Sequence, residues 1–216
     1  MSSTGRAEIR LPDAEDSVRR RAFGFNHDNT CSAVAVGLAL SYLADARRLP
    51  LVPADRRAER LGPSVPRDAA ALPELYPNAH RLHRVLADEC GLGAASCAWR
   101  LGRALRRYCR RRVPPECGLK LRWTPLPRAA EIRRNLERGL PVLITTFFAG
   151  EYSWHTMLVY GCRGTPHGTE LLVHAGWYDG AHILPDAAGC REAEVWLPAR
   201  RAVMGYFFSL RDVPEP

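Results

Sequence analysis

Residues 31–44, CSAVAVGLALSYLA, constrain the fold more than any other part of the chain, because they carry no charge and only two serine hydroxyls and one phenol. A surface helix keeps a polar stripe. This stretch has none, so the pattern predicts a helix that is apolar on nearly all sides and lies at the centre of the molecule. Asp28, Asn29 and Thr30 precede it as cap-type residues. The run is shorter than the roughly 20 residues that cross a bilayer, and charges or prolines break the other apolar runs, so no membrane span is expected. The N-terminal MSSTGRAEIRLPDAEDSVRR lacks the apolar core of a secretion signal. Export is therefore not expected, and a cytoplasmic location is.

The rest of the chain divides by period. Residues 1–20 are polar and read as a loosely held arm. Residues 49–77 are rich in Pro and Arg and read as loop. Helices are expected near 78–90, 98–112 and 127–138, the second ended by Pro114-Pro115 and the third closed by Gly139. The pattern then changes to strand-like segments at 140–148, 155–162, 170–177 and 205–210, separated by turn residues. Consecutive strands with short links predict an antiparallel sheet, and helices followed by sheet predict the α+β class. A chain of 216 residues suits a single domain. It reads as a helical lobe over about 20–138 and a β lobe over about 139–212.

The chain has a formal net charge of +8, which attracts anionic partners. Lys120 is its only lysine, so the arginine excess reads first as a bias of composition. Arg100, Arg103, Arg106, Arg107, Arg110, Arg111 and Arg112 nevertheless cluster, with Trp99, Leu101, Leu105 and Tyr108 among them at helical spacing. The plain reading is an amphipathic helix with a solvated arginine face; the functional one is an anion or nucleic-acid surface. The seven cysteines are odd in number and form no Cys-x-x-Cys pair, which argues for reduced thiols. His80, His83, Cys90 and Cys97 match no common zinc spacing, so no metal is expected there, only a surface histidine pair and small buried thiols.

The sequence carries no Gly-x-Ser-x-Gly elbow, no phosphate loop and no His-Glu-x-x-His. What remains is Cys31, His155 and the stretch His174-Ala175-Gly176-Trp177. Cys31 opens the central helix, where unpaired N–H groups and the helix dipole favour thiolate over thiol. His155 opens a strand that would run back beside that helix, within reach of the sulfur.

An apolar helix begun by Cys and a later strand begun by His resemble the papain-like cysteine peptidases, closest to the bacterial branch of bacteriocin-leader-processing and streptopain-like enzymes. The resemblance rests on FNHDNTCSAVAVGLALSYL (25–43), GLPVLITTFFAGEYSWHTMLVYGC (139–162) and ELLVHAGWYDG (170–180), and spans about residues 23–180. It implies one papain-like domain with a Cys-bearing central helix packed on an antiparallel sheet. Cys31 would be the nucleophile and His155 the base that activates it. Asn26, or Asn29 as second choice, would donate to the oxyanion. Asn29 reads equally as a cap or turn residue. Trp177 would shield the pair from water, and reads equally as an aromatic core residue. A peptide or protein would be the substrate, with no cofactor and no membrane partner, and the segments 49–77, 149–154 and 178–200 would line the cleft.

The chain departs from the family at the third position. The family's Asn or Asp, which orients the imidazole, is replaced by His174, and Asp179 stands on the turn beyond Trp177. The resemblance therefore allows a peptidase or amide hydrolase, an acyltransferase on the same residues, or a scaffold that has lost turnover and binds a peptide. A nucleic-acid module built on the arginine helix is the less favoured alternative, because none of the common nucleic-acid motifs is present.

Overall fold

The uncharged run forms helix α1, Cys31–Ala46, and every residue from Ser32 to Ala44 is buried. The computed structural model describes residues 7–22, 30–61, 71–93, 98–147, 152–176 and 195–211. Around α1 lie the short helix α2 (Leu72–Leu75), α3 (Pro77–Arg84) continued by a wider turn over Val85–Glu89, α4 (Ala98–Arg112) and α5 (Ala129–Glu137). Pro77 opens α3 at a position where its missing N–H costs nothing. Gly139 ends α5 with φ +66°, a left-handed turn that glycine accepts without strain.

The strands are β1 (Ile9–Arg10), β2 (Lys120–Pro125), β3 (Val142–Thr146), β4 (His155–Thr165), β5 (Gly168–His174), β6 (Val195–Pro198) and β7 (Ala202–Ser209). They form one antiparallel sheet in the order β2-β7-β3-β4-β5-β6, with β1 added to β4. β3 is buried at every position and β4 over its first eight. That explains why both read as near-continuous apolar runs rather than alternating ones. α1 packs against β3 and β4, and α5 against β1, β3 and β4. The class is α+β, as the order of periods predicts.

Three expectations need correction. Within the N-terminal segment, residues 7–22 are held rather than loose: Ile9 and Arg10 pair with Cys162 and Gly161, and Leu11, Ala14, Val18 and Ala22 are buried in the core. The apolar spacing Leu11, Ala14, Val18 and Ala22 carries that anchoring, although charged residues dilute it to a polar average. The sheet also does not begin at residue 140, because β1 comes from the segment read as an arm and β2 from the region read as helical. Lastly, His83 is no surface residue: it is buried, and lines a small crevice with Val34, Gly37 and Leu38 of α1. Among the described residues no helix is long and apolar enough to cross a membrane.

Candidate active site

Cys31 is the first residue of α1, and Thr30 is its N-cap. The N–H groups of Ala33 and Val34 already bond the Thr30 carbonyl, at 2.9 and 3.2 Å. The two amides before them, on Cys31 and Ser32, sit in the first turn, where a helix has no partner of its own to offer. His155 is the first residue of β4 and stands opposite Thr146 of β3. The topology brings the two together. The N–H of Thr156 donates to Cys31 Sγ at 3.5 Å, so the sulfur lies against the peptide that leaves His155. Cys31 is partly exposed, whereas His155 is buried.

The imidazole is held from its far side. His155 Nε2 lies 2.5 Å from the carbonyl oxygen of Ala175. A carbonyl only accepts, so Nε2 carries the proton and Nδ1 is the basic nitrogen of the neutral ring. His174 occupies the adjacent position but meets a different strand residue: it stands opposite Leu158, three residues beyond His155. Its Nδ1 accepts the Gly176 N–H at 3.1 Å. Burial pushes its pKa down from 6.5 to about 3, so the ring is neutral at ordinary pH. Among the described residues, the group that meets His155 Nε2 is thus the backbone carbonyl of Ala175. Gly176 makes that turn possible. Its φ is +76°, and an added Cβ would lie 2.8 Å from Val34 Cγ1 of α1. Asn26, Asn29, Trp177 and Asp179 lie outside the described residues.

A buried chain of hydroxyls backs the pair. Ser32 Oγ donates to Thr156 Oγ1 at 3.2 Å, Thr156 Oγ1 shares a hydrogen bond with Thr145 Oγ1 at 3.0 Å, and Thr145 Oγ1 shares one with the Tyr206 hydroxyl at 3.2 Å. These four residues come from α1, β4, β3 and β7. Beside His155, the Thr146 hydroxyl faces two carbonyls: it bonds that of Tyr152 and reaches the His155 carbonyl at 3.4 Å. Trp154 takes the left-handed φ of +56°, a conformation that a bulky side chain seldom adopts, and remains 69% exposed. Its ring meets that of Phe147 at a centroid distance of 4.1 Å.

Sequence reasoning singled out none of Ser32, Thr145, Thr156 or Tyr206, and took in Ala175 and Trp154 only as members of the stretches 174–177 and 149–154. The one usable signal was polarity inside apolar runs: Thr145 and Thr156 lie in strands whose other residues are largely aliphatic, and a buried hydroxyl needs a partner. Compared with family models, with curated proteins and with solved structures, the chain matches none.

Proposed function

We propose that this protein is a cysteine-dependent amide hydrolase that acts on peptide bonds through Cys31 and His155, with a papain-like arrangement of parts. The observation that carries the reading is the 3.5 Å contact of the Thr156 N–H with Cys31 Sγ, because it sets the sulfur of a helix N-terminus beside the first residue of the histidine strand. The Thr156 N–H stays in place as a donor while charge develops on the sulfur during attack.

In the proposed reaction Nδ1 of His155 takes the thiol proton, and the sulfur attacks the carbonyl carbon of the substrate. The C–N bond breaks as the imidazolium returns that proton to the leaving amine, and a thioester remains on Cys31. Water, deprotonated by Nδ1, then attacks the thioester carbon. The acid is released and the thiol restored. Among the described residues, the first-turn amides of α1 would donate to the developing oxyanion. Ala175 O keeps the Nε2 proton in place through the cycle and so fixes which nitrogen works as base. An amine in place of water would make the same site an acyltransferase.

A peptide-binding scaffold without turnover is the second reading. The observation that favours it is that, among the described residues, the group bonded to His155 Nε2 is a neutral carbonyl. The carbonyl orients the ring but adds little charge stabilisation to an imidazolium.

One experiment separates them. Limiting iodoacetamide at about pH 6 alkylates thiolates and spares ordinary thiols. Peptide mass spectrometry then ranks the seven cysteines. Labelling that is fast at Cys31 and slow elsewhere, and that is lost in His155→Ala, is the expected result. Slow labelling of Cys31 in the native protein would remove the thiolate–imidazolium pair and leave the scaffold.

A further inference from the structure

Away from Cys31, a groove of about 590 Å³ runs between α4 and β2. Its floor is aliphatic, made by Leu105, Leu119 and Leu121 together with Cys109. Burial pushes the Cys109 thiol up to about 11, so the floor carries no charge. Its rim is cationic, made by Arg106, Arg110 and Lys120, all exposed. The other side of α4 is neutralised differently: Arg112 pairs with Glu89 at 2.8 Å, and Arg107 reaches the Glu89 carbonyl. No described carboxylate pairs with Arg106, Arg110 or Lys120, and Glu116, on the turn joining α4 to β2, does not line the groove. Trp99 and Arg103 extend the stripe toward the start of α4, with the guanidinium 5.1 Å from the ring centroid.

β2 supplies the second half of the argument. Among the described residues it is the end strand of the sheet and pairs only with β7. No described strand bonds its outer backbone groups, the Pro125 carbonyl accepting from the Thr124 hydroxyl, and the part of that row at Lys120 and Leu121 borders the groove. An open edge invites pairing with another copy of itself. Here Lys120 and Pro125 oppose that, because two such edges would bring like charges together and Pro125 offers no N–H, while Arg122 is paired with Glu131. A strand of opposite charge meets no such barrier.

We infer that the α4–β2 groove binds an extended acidic peptide segment of a partner protein, which adds to β2 as a further strand. Its alternate apolar side chains rest on Leu105, Leu119 and Leu121, and its carboxylates face Arg106, Arg110 and Lys120. Backbone pairing supplies affinity, and the floor and rim supply selectivity. A nucleic-acid strand fits less well, since the floor is aliphatic and the exposed rings of these two elements, Trp99 and Trp123, stand outside the groove lining. The inference does not rest on the catalytic reading.

The test is fluorescence anisotropy with the full chain and a labelled peptide of about nine alternating leucines and glutamates, at the roughly 0.15 M salt that screens distant charges. Saturable binding is expected, with slowed amide exchange over Lys120–Pro125. Arg106→Glu combined with Arg110→Glu should weaken it at least tenfold. Gly102→Leu should do the same with no change of net charge. Gly102 lines the groove, the nearest atom to an added Cβ there is Arg106 Nη1 at 3.9 Å, and leucine is the better helix former. Circular dichroism checks that each variant folds, and the glycine variant decides the matter if the charge reversal does not. Equal binding of an alternating leucine–lysine peptide, tighter binding of a single-stranded RNA of similar length, or peptide binding that leaves β2 exchange unchanged would each overturn the inference.

Discussion

Ser32 and Thr156 are hydrogen-bonded side chain to side chain at 3.2 Å, and each directly follows one member of the proposed reacting pair. The bond is buried at both ends. It ties the first turn of α1 to the first residues of β4, so the spacing between Cys31 and His155 is set by their neighbours rather than by the two side chains themselves. Thr145 and Tyr206 extend the tie across β3 and β7.

Thr156→Val removes that tie while keeping shape. The Ser32 and Thr145 hydroxyls each lose their bond to Thr156 in a buried setting, which costs on the order of 1–3 kcal/mol. Urea denaturation should show a loss in that range. Turnover should fall in kcat more than in KM, because the pair is displaced and the substrate surface is not. Thr156→Ser, which keeps the hydroxyl, should restore most of kcat. An equal loss with both variants would mean that the methyl group, not the hydrogen bond, matters.

Cys31→Ala tests the chemistry with little structural cost. Alanine is similar in volume, has higher helix propensity, and gives up only the weak contact to the Thr156 N–H. Peptide hydrolysis should drop to background while the thermal midpoint moves by no more than a few degrees. Hydrolysis that survives the substitution would take Cys31 out of the mechanism.

The parts of this fold legible in the sequence are those decided by local pattern. The uncharged run became α1, and the arginine-rich helix kept Leu101, Leu105 and Tyr108 inside and Arg103, Arg106 and Arg110 outside. β2 escaped because its residues are mostly exposed: KLRWTP lies at a sheet edge, and only pairing with β7 makes it a strand. β1 escaped because two residues carry no period at all. The candidate site divides the same way. Cys31 and His155 each open an element, and element starts are visible in a sequence. The Ala175 carbonyl is a backbone atom that any residue would supply, so no residue type could announce it. The hydroxyl chain depends on register across four elements, which the sequence does not display.

His174 should make the fold sensitive to acid. Burial lowers its folded pKa from 6.5 to about 3, so between those values the unfolded chain binds a proton that the folded chain refuses. Stability from this residue is therefore complete above about pH 6.5 and is lost as pH falls, by at most about 1.4 kcal/mol per pH unit. His174→Asn removes the titration, and its side-chain oxygen can still accept the Gly176 N–H. Urea midpoints measured from pH 7 to 4 should slope more steeply for the native protein than for the variant. Parallel slopes would show that the imidazole is protonated within the fold.

Gly176 is where the sheet, the central helix and His155 constrain one another. An alanine there is opposed twice, by φ of +76° and by Val34 Cγ1 at 2.8 Å from the new Cβ. The first cost is about 1–2 kcal/mol and is independent of neighbours. The second can be relieved by shortening Val34. Gly176→Ala alone should destabilise the protein by more than the first cost. It should also shift the Ala175 carbonyl away from His155 Nε2, lowering kcat and slowing alkylation of Cys31. In the Val34→Ala background the stability cost of Gly176→Ala should shrink toward the conformational part, giving a coupling of about 1 kcal/mol in a double-mutant cycle. Additive losses would mean that the backbone at 175–176 moves freely off α1, and that the carbonyl is not held against the imidazole by this contact.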